Sequence, residues 1–411
     1  MARRIAWLSL AALLLTSLVL RPPVAAVGPL LGQIATDLKL DLAQQGLLTS
    51  IPVFSFGIGA FAGPWLARTF GLDRLIVLLL AVLSASILIR GSFGYVALLA
   101  ATVAAGLSIA VMNVVLPTVV RGRFKNHVAQ VTSAYTMVLA LSASISAAVA
   151  VPLAQVLRSW NLSLTVWFIP SVLALLIWFW QSKALHLKPS STANSQQTVH
   201  SKAIARSKVT WALFAFFGIQ SFGFYFVLSW LPSILIERGF DQAAAGGMLG
   251  LVTIVGVPTG FALASNLSRV KNLAALGFVI SLVTLAGFAL LLIPGFELPA
   301  GILIGLGQAA SFPLSLTLIS TRASDSRLTT ALSAFVQGWG YLLSAVGTYA
   351  VAVIRDLTGS WTSSIALLVI FTAIQASSSF EAGGKHSIHD PELAAQAARA
   401  EDESFDLFDG K

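Results

Sequence analysis

Arg21 lies inside a long apolar run, in the order Leu20-Arg21-Pro22-Pro23. A guanidinium held at that depth in hydrocarbon costs roughly 2.5–3.5 kcal/mol on insertion scales, so its retention needs a reason. Two readings compete. In one, the planar fork of donors binds an anion or an electron-rich polar group in a central cavity. In the other, Pro22 and Pro23 lack backbone donors, carbonyls one turn earlier are freed, and the guanidinium satisfies them. The two are compatible.

Neutral polar residues occur at similar depth in other apolar runs: Asn113, Gln220, Gln308 and Gln337. Amides there either meet a solute or bind helix to helix. Tyr135, Tyr225 and Tyr341 are candidates for aromatic walls, as is Trp230, which also suits an anchor at a membrane face. Carboxylates and imidazoles are missing from these depths. The eight acidic residues before residue 381 fall in loops or at span ends, and the five histidines fall in loops or in the tail. There is no cysteine, so thiol nucleophiles, zinc-thiolate sites and disulfides are excluded. No catalytic or metal-binding constellation remains, and no cofactor is expected. The chemistry on offer is binding, by a carrier or by a non-transporting membrane sensor of a solute, and not enzymatic. Proton coupling through a buried carboxylate or histidine has no candidate. The boundary carboxylates Asp37 and Glu237, or a proton carried on the substrate itself, are the remaining routes.

The elements that position these residues are membrane spans. Of 411 residues, 57% are hydrophobic and 10% charged, too few charges for a soluble chain. Mean hydropathy is +0.86. Apolar runs near the length of a span lie at 5–36, 44–67, 74–90, 95–120, 128–156, 162–182, 209–236, 242–266, 273–293, 298–320, 329–354 and 362–380. Arg3 and Arg4 before the first run resemble the start of a signal peptide, but the run resumes after Pro23 and is long enough to span as one broken helix. Nineteen Lys and Arg fall in segments on the N-terminal side of the membrane. Five (Lys39, Arg90, Arg158, Arg238, Arg355) fall in loops on the other side. That bias predicts both termini in the cytoplasm. The basic residues are spread through short loops, which does not suit nucleic acid.

The halves are related at an offset near 200 residues. Ala43-Gln44-Gln45-Gly46 matches Ala243-Ala244-Ala245-Gly246, Ser133-Ala134-Tyr135 matches Ser333-Ala334-Phe335, and Gly106-Leu107 matches Gly305-Leu306. The expected organisation is a six-helix bundle over 1–183, a polar and flexible linker over 184–208, a second six-helix bundle over 209–380 and an acidic tail over 381–411. A short helix through Ala394–Ala400 is expected in the tail, with Asp390 and Pro391 at its start. Two related halves of six follow the plan of the major facilitators. In that plan spans one, four, seven and ten line the cavity, which would bring Arg21, Asn113, Gln220 and Gln308 together. Prolines at 22, 23, 52, 117, 152, 170, 232, 258 and 313 interrupt the spans and suit helices whose ends swing.

Leu20-Arg21-Pro22-Pro23-Val24, Val27-Gly28-Pro29-Leu30-Leu31 and Gly46-Leu47-Leu48-Thr49-Ser50-Ile51-Pro52 resemble the cyanate and 2-nitroimidazole transporter family of the major facilitators. So do Asn113-Val114-Val115-Leu116-Pro117, Ser229-Trp230-Leu231-Pro232, Phe312-Pro313-Leu314 and Phe335-Val336-Gln337-Gly338. The resemblance implies an all-α integral membrane protein of twelve helices. It implies a monomeric carrier of a small anion or a small polar aromatic in the bacterial cytoplasmic membrane, with lipid and solute as its partners and Arg21 as the substrate contact. A broader drug or metabolite efflux activity is the alternative. Uptake and efflux are both compatible with the family. The loop after the second span departs from the usual facilitator pattern. Ala67 stands at its acidic position beside Arg68, so Asp73, next to Arg74, is the candidate to pair with a helix terminus in its place. The fifth span, Val138–Pro152, lacks the glycines of antiporters. The second and eighth spans lack the arginines of nitrate porters.

Overall fold

A computed structural model of the chain describes residues 2–90, 94–124, 127–185, 201–323 and 326–384. Sixteen α-helices follow one another: α1 (Ala2–Val19), α2 (Pro22–Ala25), α3 (Val27–Leu38), α4 (Leu42–Phe70), α5 (Leu72–Ile89), α6 (Gly94–Arg123), α7 (Val128–Leu157), α8 (Trp160–Thr165), α9 (Phe168–Leu185), α10 (Ser201–Arg206), α11 (Lys208–Glu237), α12 (Gln242–Asn266), α13 (Leu273–Leu291), α14 (Glu297–Arg322), α15 (Ser326–Thr358) and α16 (Trp361–Ala382). Eleven helical stretches are long and apolar enough to cross a membrane. The remaining crossing is α15, which is long enough but carries Ser333, Gln337, Tyr341, Ser344 and Thr348 at spacings of three and four, a polar stripe down one face. The twelve expected crossings are thus present. The first is α1–α2–α3 and the sixth is α8–α9 rather than a single rod over 162–182.

The chain starts and stops its helices with local chemistry. Asp41 caps α4 by accepting from the Gln44 backbone at 2.7 Å, while the Gln44 side chain accepts from the Asp41 backbone at 3.1 Å. Two hundred residues on, Asp241 caps α12 through the Ala244 backbone at 2.8 Å. The first crossing breaks because Pro22 and Pro23 occupy the first two positions of α2 and cannot donate to the preceding turn. Part of the expected linker is ordered as α10, against which Trp211 donates its indole N–H to the Ala205 carbonyl at 2.8 Å. The rest of that linker and the expected tail helix lie outside the described residues.

The end of the bundle holding the turns at 38–42, 157–160, 237–242 and 358–361 is called the distal end here, and the opposite end the terminal end. The first six crossings meet the last six along α4 with α15 and along α7 with α12, and α3 packs on α11 and α12. By contrast α1 packs chiefly on α7 and α9 of its own set. The two sets therefore close on each other at the distal end, and α4 and α15 remain in contact further down, where Phe61 packs on Gly338 and Trp339. Small residues permit the closure. A Cβ on Gly28 would stand 2.2 Å from the Leu228 carbonyl oxygen, and one on Gly250 would stand 2.8 Å from Ala148. Two hydrogen bonds cross the same seam: Gln33 Nε2 to Gln242 Oε1 at 2.7 Å and Ser144 Oγ to the Gly250 carbonyl at 2.7 Å.

Trp230 is not at a membrane face. It is fully buried, donates to the Thr348 carbonyl at 3.1 Å and packs on Trp361 at 5.2 Å between ring centres. Its indole joins α11 to α15 and α16, and the position in the chain alone did not reveal that shielding.

Gly28→Ala forces a methyl into the Leu228 carbonyl, and overpacking of this kind costs about 1–3 kcal/mol. Thermal melting of the detergent-purified protein should show a clear drop. Gly32→Ala, one turn on, meets nothing nearer than 3.9 Å and should melt as the unmodified chain does. Equal melting of the two variants would contradict the distal closure.

Candidate solute site

Arg21 caps α2 in a helical backbone conformation (φ −100, ψ −38), and its carbonyl accepts from the Val24 and Ala25 backbones at 3.0 and 2.9 Å. Its side chain is half-buried. The guanidinium lies close to the Tyr225 hydroxyl from α11 and within electrostatic reach of Tyr341 from α15. Arg21 makes no ion pair among the described residues.

Tyr225 and Tyr341 stand edge to face, 6.4 Å between ring centres. Phe56 from α4 packs on both, at 5.9 and 5.7 Å, and Phe217 packs on Tyr341 at 5.1 Å. Edge-to-face contacts of this kind fix ring orientation as well as bury area. The site is thus a cation on an aromatic floor that draws on the first crossing, α4, α11 and α15. The Tyr225 hydroxyl has a proton to donate onward. The Tyr341 hydroxyl has no hydrogen-bond partner among the described residues. The arrangement offers donors and positive charge, and no carboxylate answers them. It therefore favours an anionic or electron-rich ligand.

The other sequence candidates divide. Gln220 and Gln308 do meet, across α11 and α14, but they bond each other at 3.2 Å and are 3% and 6% exposed. Ser221 Oγ adds a longer contact of 3.4 Å to the Gln220 carbonyl oxygen. They act first as a helix-to-helix link. Asn113 is half-buried on α6 with no hydrogen-bond partner among the described residues, which leaves its amide available. Gln337 is turned back on its own helix, donating to Ser333 Oγ at 2.6 Å. Tyr135 is buried in α7 within the core. Phe56 and Phe217 were invisible beforehand, because a phenylalanine in an apolar helix carries no signal of which way it faces.

Arg90 corrects the sequence reading most. Its assignment to a distal loop placed it in water, yet it is 3% exposed. Its Nε donates to Thr102 Oγ1 at 3.1 Å and its Nη1 to the Pro23 carbonyl. Arg90, at the end of α5, thus satisfies the Pro23 carbonyl beside the break, while the carbonyls that Pro22 and Pro23 free lie one turn earlier.

At the terminal end Asp73, in the first turn of α5, forms an ion pair with Arg123, the last residue of α6. Arg123 also lies over the Trp178 ring at 4.9 Å, and Trp178 donates to Thr16 Oγ1 at 2.7 Å. This chain of contacts ties α5, α6, α9 and α1 together within the first six crossings. Arg68 and Arg74 are both exposed beside it.

The Gln220–Gln308 link has a measurable signature. Gln308→Leu or Gln220→Leu alone leaves a buried amide unpaired and should cost about 1–3 kcal/mol of stability. The double variant should recover part of that loss in thermal melts. Strict additivity would show that the two amides are not coupled.

The chain matches the family model of the Major Facilitator Superfamily over residues 13–348. It is 33% identical to an uncharacterized transporter, YycB, of Bacillus subtilis over 92% of this chain and 94% of that one. It is 31% identical to the 2-nitroimidazole transporter of Escherichia coli over 89% and 93% of the two chains. Identity to the cyanate transport protein CynX of Escherichia coli is 29% over 85% and 90%. Among solved structures, the nucleoside transporter NupG superposes with a TM-score of 0.75 at 11% identity, covering 92% of this chain and all of that one. With the break at Arg21, the twelve crossings and these likenesses in hand, the chain belongs to the Major Facilitator Superfamily of membrane transporters.

Proposed function

We propose that this transporter moves a small anion such as cyanate, or a small polar aromatic such as a nitroimidazole, across the bacterial cytoplasmic membrane by alternating access, with both termini in the cytoplasm. The observation that carries this reading is Arg21. It is a half-buried cation without an ion-pair partner among the described residues, and it lies close to Tyr225 of the other set of helices. The substrates named for two relatives, cyanate and 2-nitroimidazole, fit a cation on an aromatic floor. Guanidinium donors meet an anion or a nitro group, and the rings of Phe56, Tyr225 and Tyr341 meet a planar body.

No titratable carboxylate or histidine stands beside Arg21 among the described residues, and Arg21 itself does not release its proton. The boundary carboxylates are engaged: Asp37 accepts from the Trp160 indole at 2.9 Å, and Glu237 pairs with Arg355 at 2.9 Å. Movement is therefore facilitated or by exchange, or a proton travels on the solute or on one of these boundary carboxylates.

In proteoliposomes, counterflow of labelled cyanate and of 2-nitroimidazole should be saturable. Arg21→Lys keeps the charge but loses the fork, and should weaken binding roughly 10- to 100-fold, as expected for a lost charge-assisted hydrogen bond of about 1.5–3 kcal/mol. If Arg21→Lys transports normally and only Arg21→Ala misfolds, Arg21 is structural and the reading fails. A pH step should drive little net flux of a permanently charged anion. Strong proton drive that persists with Asp37 and Glu237 both neutralised would overturn the coupling account.

A further inference from the structure

Arg90 is better equipped than its capping task requires. One carbonyl and one hydroxyl receive two of its five N–H groups. A neutral amide could satisfy the Pro23 carbonyl without bringing a charge into a buried site, and an uncompensated buried charge costs several kcal/mol. No carboxylate lies within ion-pair distance among the described residues.

Beside Arg90 is a small cavity with room for about one water, which it shares with Val24, Gly28, Thr49, Pro52 and Ser229. All of these except Ser229 belong to the first six crossings, and Ser229 is contributed by α11 from the other set. The wall that Ser229 provides is the same stretch of α11 whose backbone closes on Gly28 at the distal seam. Withdrawal of α11 from Gly28 would therefore strip the cover from Arg90 and leave its remaining donors facing the distal opening. Pro23, which Arg90 holds, is two residues from Arg21.

We infer that Arg90 is a second anion-binding station, buried while the distal seam is closed and uncovered when it opens, where a small monoanion from the distal side is first held before it reaches Arg21. The station rests on the alternating-access reading above. Arg90 reaches the first crossing from the end of α5, through the carbonyl of Pro23.

The absence of cysteine makes each introduced thiol a unique reporter. Ser229→Cys and, as a seam control, Gln33→Cys are placed in the full-length chain. Each is labelled from the distal side with an anionic sulfonatoethyl and a cationic trimethylammonioethyl methanethiosulfonate, with rates normalised to a free thiol. Ser229→Cys should favour the anionic reagent roughly tenfold, as expected for one nearby fixed charge. Arg90→Gln should abolish that preference and Arg90→Lys should keep it, with Gln33→Cys indifferent to both changes. A preference that survives Arg90→Gln overturns the station. So does a silent Ser229→Cys alongside a reactive Gln33→Cys. If neither thiol reacts, the distal seam does not open, and the alternating-access reading falls together with the station. Should Arg90→Gln fail to accumulate, sodium thiocyanate, a small linear monoanion that does not carbamoylate thiols, must slow anionic labelling of Ser229→Cys severalfold, while sodium gluconate at the same ionic strength must not. Equal effects of the two salts overturn the proposal.

Discussion

Within hydrocarbon a backbone carbonyl that loses its helical donor has no water to turn to, and the rest of this structure is arranged around one such place. Pro22 and Pro23 withdraw two donors in succession, the first crossing breaks into α1, α2 and α3, and Arg90 supplies the Pro23 carbonyl from the neighbouring crossing. The break has two effects. It lets α3 lean across to α11 and α12 while α1 stays with α7 and α9. It also puts Arg21 at the cap of a short helix, where its side chain reaches Tyr225 and does not fold back onto its own turn.

The seam that follows from this lean is built of small groups and amides rather than charges. Gly28 and Gly250 allow backbone to approach backbone, and Gln33 with Gln242 adds one strong contact. The charged pairs of the distal end, Glu237 with Arg355 and Arg238 with Glu297, lie within the last six crossings, and the Asp73–Arg123 pair of the terminal end lies within the first six. Each set is thus stiffened internally by ion pairs, and the surface between the sets is left to weak, reversible contacts. A moving carrier needs such a distribution, because a strong bond across the seam would favour one state too far.

Much of this was legible in the sequence because hydrocarbon imposes strict costs. Span lengths, the broken first crossing and the importance of Arg21 follow from hydropathy and from the rarity of charge in lipid. The helix caps at Asp41 and Asp241 were also implicit in the repeat. What escaped was orientation about each helix axis. Gln220 and Gln308 face each other, Gln337 faces its own turn and Tyr135 faces the core, distinctions that depend on rotation and not on depth. Arg90 escaped for a different reason. Loop charges are assigned by position relative to a span, and one residue past the end of α5 reads as water although the neighbouring helices extend further and cover it.

The polar stripe of α15 has a consequence for how the chain is made. Ser333, Gln337, Tyr341, Ser344 and Thr348 share a face, and Ser344 and Thr348 are buried there with hydroxyls that have no partner among the described residues. A segment of that kind is a poor candidate for leaving the insertion machinery by itself, since each polar group lowers its preference for lipid. Its stripe is shielded only once α4 and α11 flank it, and both are synthesised earlier. The eleventh crossing therefore depends on helices already in the bilayer to receive it, so that its polarity ties the completion of the second half to the prior assembly of the first.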